Sequence, residues 1–180
     1  MITPQVVLDF WFSEENSKEW FRKSEEFDQA IRENFLEAFE QGMTGAYDSW
    51  ADEPQSCLAL VILLDQFSRN MFRGTGRMYE GDEKSIALTK LAIQHNYLDH
   101  MDMLQRKFML MPLMHSESLE DQDLGVKLFG HHCDERTTDF AVRHRDVVAE
   151  FGRFPHRNEL LDRECTEDEV EFLKKPGSRF

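Results

Sequence analysis

The stretch Cys57-Leu58-Ala59-Leu60-Val61-Ile62-Leu63-Leu64 is apolar on every side, and a segment without a polar face belongs inside a folded domain. Eight such residues suit either a buried strand or a buried helix. A strand needs partners, yet the chain has no second run of this kind and no period-2 alternation. Polar helix formers continue the run on both sides. It is therefore read as the central helix of an all-α protein.

The rest of the chain supplies helices to pack around it. Thr3 before Pro4 offers a hydroxyl cap and a first helical residue with a fixed φ, and Val7, Phe10 and Trp11 then share a face. Ser17 and Ser24 can open two further segments, the second carrying Phe27, Ile31, Phe35 and Ala38 at helical spacing up to Gly42. A helix from Gly81 or Asp82 has a stripe of Ala87, Leu88, Leu91, Ala92 and His95. The next, with Leu104, Phe108 and Met111, is expected to kink or end at Pro112 and to free a carbonyl near Met114 to Glu117. Ser118 with Asp121 can cap a helix to Cys133, Asp134 one to Phe151, and Thr166 with Glu169 forms a capping box for the last. About nine helices in antiparallel pairs, joined by short polar links, predict one all-helical domain over residues 1–180.

Charge narrows the partners. A formal charge of −14 argues against nucleic acid and anionic membranes, and no stretch reaches eighteen apolar residues. The opening residues lack a basic region followed by an apolar run, and Cys57, Cys133 and Cys165 form no Cys-x-x-Cys pattern, which fits a reducing cytoplasm. Within this acidic chain lie two basic islands. Arg69, Arg73 and Arg77 occur without an acid between Gln66 and Tyr79, and residues 143–158 hold Arg143, Arg145, Arg153 and Arg157 against Asp146 and Glu150. Arginine forks match carboxylate or phosphate through two parallel hydrogen bonds, so a small anionic molecule is the expected ligand. The bland alternative is that these arginines brace helices against the abundant carboxylates.

Four segments carry a family resemblance: Leu64-Asp-Gln-Phe-Ser-Arg-Asn-Met-Phe-Arg-Gly74, Pro112-Leu-Met-His-Ser-Glu117, Phe151-Gly-Arg-Phe-Pro-His-Arg-Asn158 and Phe172-Leu-Lys-Lys-Pro-Gly-Ser178. Over nearly its whole length the chain resembles the uncharacterised bacterial family catalogued as domain of unknown function 924. The resemblance implies an all-helical fold grouped with tetratricopeptide-like superhelices and implies no established activity. Ser68 stands where the family is expected to have proline, leaving this chain an extra amide after its central helix. No fixed-period tetratricopeptide signature is readable, so a compact helical bundle is the other arrangement these helices allow.

Helical spacing turns His144 and Asp65 toward apolar neighbours, and buried groups of this kind need partners. His144, His156 and Asp65 are accordingly the candidates for acid–base chemistry. Arg69, Asn70, Arg73, His115, Glu117, Arg153, Arg157 and Asn158 are the candidates for holding the ligand. Gly152 is expected to stop a helix, and Phe154-Pro155 to force an extended exit that presents His156, Arg157 and Asn158 on a rigid loop. No metal or cofactor is expected: the histidines lack His-Glu-x-x-His spacing, and the chain has no Gly-x-Gly-x-x-Gly, phosphate loop or Gly-x-Ser-x-Gly. A protein partner held by a concave helical face is the competing function.

Overall fold

The computed structural model describes residues 2–179. Its helices are α1 (Pro4–Trp11), α2 (Glu25–Met43), α3 (Pro54–Val61), α4 (Phe67–Met71), α5 (Asp82–Gln94), α6 (Met103–His115), α7 (Leu119–His132), α8 (Glu135–Phe151) and α9 (Glu167–Leu173), and the described residues contain no strand. The apolar run is helical, but it is not one regular helix. α3 passes through a π-helical turn, Ile62–Gln66, directly into α4, closing with a bond from the Phe67 amide to the Ile62 carbonyl. Such turns widen the helix by one residue and re-aim the side chains that follow. Here the turn contains Asp65.

This central rod is covered by α1 and α2 on one side and by α5 and α6 on the other, while α6, α7 and α8 pack in succession through short connections. Every residue from Cys57 to Asp65 is buried. Aromatic rings fill the space between the N-terminal helices and the rod: Trp11 meets Phe67, Phe108 and Trp20 at centroid distances of 5.6, 5.3 and 5.5 Å. Such contacts add specificity of orientation to the burial itself.

Several caps form as the sequence predicts. Thr3, Ser24, Asp134 and Thr166 each accept an amide of the first turn, the last within a full capping box with Glu169. Asp102 with Gln105 forms a second box. Three expectations change. Ser17 opens no helix and lies inside a short 3-10 turn, Asn16–Lys18. α6 continues through Pro112 to His115, so the carbonyls available to other groups are those of its C-terminal end: Met114 and Ser116 accept from Gln122, and His115 from Arg157. Ser118 precedes α7 without a side-chain cap, and the Asp121 carboxylate instead accepts from Ser116 Oγ at 2.8 Å and pairs with Lys90 Nζ at 2.5 Å.

One close approach sets where α5 begins. A Cβ added at Gly81 would lie 2.2 Å from the Leu64 carbonyl oxygen and 2.9 Å from its carbon, so only glycine lets the chain lie against the π turn. Asp82 follows immediately and is thereby delivered to the side chains of that turn. Gly81→Ala is expected to lower stability by about 3 kcal/mol, the range of overpacking against immobile backbone, measured by denaturant unfolding; an unchanged midpoint would show that the contact is not tight.

Candidate functional site

Asp65 is 0% exposed, and a carboxylate at such depth needs compensating charge and hydrogen bonds. His115 Nδ1 lies 2.8 Å from its Oδ1. Gln66 Nε2 donates to Oδ2 at 2.5 Å. Arg69 Nη1 lies 3.0 Å from Oδ1 and donates to the Asp65 carbonyl at 2.8 Å. Burial alone would raise the Asp65 pKa, but Arg69 and His115 outweigh it and bring it down to about 2. The carboxylate is ionised at every physiological pH.

His115 is pulled the other way. Burial and then the Arg69 charge lower its pKa, more than Asp65 and its hydrogen bond raise it. The neutral ring therefore dominates at pH 7. With an ionised carboxylate against Nδ1, that nitrogen carries the proton and Nε2 keeps a lone pair. The pairing is a carboxylate-oriented imidazole, the arrangement that prepares histidine to accept a proton.

The second basic island enters through Asp82. Arg69 Nη1 also forms an ion pair with Asp82 Oδ1 at 2.8 Å. Arg157 Nη1 donates to Asp82 Oδ2 at 3.1 Å and its Nη2 to the His115 carbonyl at 2.8 Å. The Arg157 guanidinium lies between two rings, 4.5 Å from Tyr79 and 4.6 Å from Phe154. Burial and the neighbouring Arg69 lower its pKa, with Asp82 opposing. Two arginines thus share one carboxylate, and Arg69 Nη2 and Arg157 Nε, both buried, have no hydrogen-bond partner among the described residues.

The loop that carries Arg157 is held by its predicted features and by one carboxylate. Gly152 ends α8 with φ +70°, in the left-handed region, and Phe154 is extended before Pro155. Glu117 accepts the Phe154 amide at 2.7 Å and pairs with Arg163 through both oxygens at 2.7 and 3.0 Å. Burial works to raise the Glu117 pKa, but Arg163 and the Phe154 amide hold it below its ordinary value. The resulting cleft has a volume of about 500 Å³, and its lining includes Tyr79, Asp82, His115, Glu117 and Arg157. Among the described residues, no three His, Cys, Asp or Glu side chains are arranged to hold a metal ion.

The remaining candidates lie elsewhere. Asn70 Nδ2 and Arg73 hold Asp28 of α2, with Arg73 Nε at 2.5 Å. Arg153 forms a two-bonded fork with buried Glu169 at 2.7 and 2.8 Å, and Asn158 Nδ2 reaches the same carboxylate at 3.3 Å. These four brace α2 and α9. His144 is buried, as its face predicts, but Nδ1 bonds the Phe140 carbonyl at 2.7 Å and its ring meets Phe154 edge-on. Phe140, placed on the same inward face by spacing, is 41% exposed. The histidine against Asp65 is His115. Sequence reasoning did not single out Tyr79 or Arg163, and it placed Gly81 and Asp82 only as the start of a helix.

The sequence profile of a bacterial protein family of unknown function, DUF924, matches residues 7–177. The chain belongs to this family. It is similar in structure to a protein of unknown function, ATU0120, from Agrobacterium tumefaciens, with a TM-score of 0.90 and 34% identity over 95% of this chain and 96% of that one. No curated protein matches it. Membership in DUF924 thus supports the all-helical fold and assigns no reaction. Among the described residues, no helix of this DUF924 protein is long and apolar enough to cross a membrane.

Two expected outcomes follow from these contacts. Burial holds His144 at about 3 and His156 at about 4, both below the ordinary 6.5. Between pH 6.5 and 3 the unfolded chain therefore binds protons that the folded one refuses, and stability falls as pH falls. Denaturant midpoints measured across this window should drop with acid, with a shallower slope for His144→Leu; an equal slope would contradict the assignment. Glu169→Gln should cost about 2 kcal/mol, the scale of a charge-assisted hydrogen bond, without altering the cleft's histidine.

Proposed function

We propose that the cleft binds a small anionic molecule through Arg157 and Arg69, and that His115, oriented by Asp65, takes a proton from that molecule or from a water beside it. The observation that carries this reading is the 2.8 Å contact between Asp65 and His115 in a cleft of about 500 Å³, a size common for small-molecule sites. A general base must be present in its basic form at the working pH. Burial and Arg69 keep His115 neutral, and Asp65 would stabilise the imidazolium formed as the proton arrives.

The arginines supply the other half. Arg157 is fixed by Asp82, by the His115 carbonyl and by two aromatic rings, so little side-chain freedom remains to be lost when a ligand binds. Among the described residues Arg157 Nε, at the cleft wall, and Arg69 Nη2, behind it, are buried donors without acceptors, and a carboxylate or phosphate oxygen reaching them would complete their hydrogen bonding. His144 and His156 support the site as neutral rings packed with Phe154. A cytoplasmic location accords with the three free cysteines.

The test is a thermal-shift panel of small carboxylates, phosphates and amino acids, followed by a turnover assay on any compound that stabilises the protein. At least one compound should raise the melting temperature, Arg157→Lys should weaken it about tenfold by removing the fork, and His115→Ala should lower turnover by about 10²-fold or more. Stabilisation that survives both substitutions, or a panel with no stabilising compound, would contradict the reading.

A further inference from the structure

The carboxylates around the cleft are not equivalent. Asp82 is shared by Arg69 and Arg157, Glu117 is paired with Arg163, Asp121 with Lys90 and Glu80 with Arg77. Glu83, in the first turn of α5 and also part of the cleft lining, has no hydrogen bond or ion pair among the described residues. The cleft therefore combines an inner wall at Arg157, whose buried Nε has no acceptor among the described residues and behind which Arg69 lies, with an outer edge where the exposed Glu83 carboxylate is uncompensated.

A simple anion meets favourable donors at Arg157 and repulsion at Glu83. A simple cation meets the reverse. Only a ligand bearing both charges satisfies both ends. Arg157 makes the inner end a built feature: its side chain is 7% exposed, it lies against the Tyr79 and Phe154 rings, and its Nε has no acceptor among the described residues. Ile86 and Leu161 also line the cleft, offering apolar surface to the body of the ligand.

We infer that the ligand is a small zwitterion of the free amino acid or unblocked dipeptide class, with its carboxylate toward Arg157 and Arg69, its ammonium toward Glu83, and an apolar side chain against Ile86 and Leu161. The inference rests on the reading of the cleft as an anion-anchoring site and adds the amine. It also gives His115 a choice of protons that a simple anion lacks, since an ammonium group must lose one before its nitrogen can react.

The experiment uses the full chain and measures affinity by calorimetry for the free amino acids and their unblocked dipeptides, each beside its N-acetyl and its carboxamide form. At least one free zwitterion should bind at least tenfold more tightly than both blocked forms. Glu83→Gln, at an exposed position, should erase the preference over the N-acetyl form while keeping the preference over the carboxamide. An N-acetyl form that binds wild type as tightly as the free compound would overturn the zwitterion and leave the anion site standing. Binding of simple carboxylates or phosphates but of no zwitterion would do the same. A carboxamide that binds as tightly as the acid would remove the arginine anchor, and with it both readings, as would binding by no probe of any class.

Discussion

Asp65 is a carboxylate placed where water does not reach, and much of the surrounding structure can be understood as its compensation. A buried charge without partners is costly by several kcal/mol. Its partners come from separate parts of the chain: Gln66 beside it, Arg69 one turn later in α4, and His115 at the end of α6. Arg69 extends the network to Asp82 at the start of α5, and Asp82 extends it to Arg157 on the loop after α8. Three helices, the π turn and one loop thus meet at a chain of alternating charges. Each member has more than one partner within the network, which couples the members more strongly than their separate hydrogen bonds would.

Backbone geometry makes that meeting practicable. The π turn widens the rod at Asp65, and the absence of a side chain at Gly81 lets the next segment lie on the Leu64 carbonyl. α6 ends at His115, so its last carbonyls are free to take Arg157 and Gln122 while its final side chain turns to Asp65. Each device is local, and together they bring His115 and Arg157 to one cleft, with Asp65 and Arg69 paired behind them. Such a concentration of buried, perturbed groups is where function is sought.

The helices were largely readable because their signals are local. Thr3-Pro4, Ser24, Asp134 and Thr166 with Glu169 act within one turn, and the apolar run excluded strands by having nothing to pair with. The inward placement of Asp65 and His144 followed from spacing alone. The choice of His115 over His144 as the partner of Asp65 did not, because it depends on the mutual position of α6 and the π turn, which no periodicity encodes. The basic islands were visible as clusters, yet Arg73 and Arg153 were drawn to Asp28 and Glu169 by contacts 45 and 16 residues away. Tyr79 and Arg163 lie in turns with no pattern to mark them, and their roles exist only once the loop after α8 is folded against α6.

The central claim is that Asp65 holds His115 as a neutral base with its proton on Nδ1. Long-range ¹H–¹⁵N NMR of the imidazole nitrogens reads both tautomer and charge directly. The account predicts a neutral ring at pH 7, protonated on Nδ1, with a titration midpoint below the ordinary 6.5 and loss of the Nδ1–H preference in Asp65→Asn. A ring protonated on Nε2, or an imidazolium at neutral pH, would contradict it.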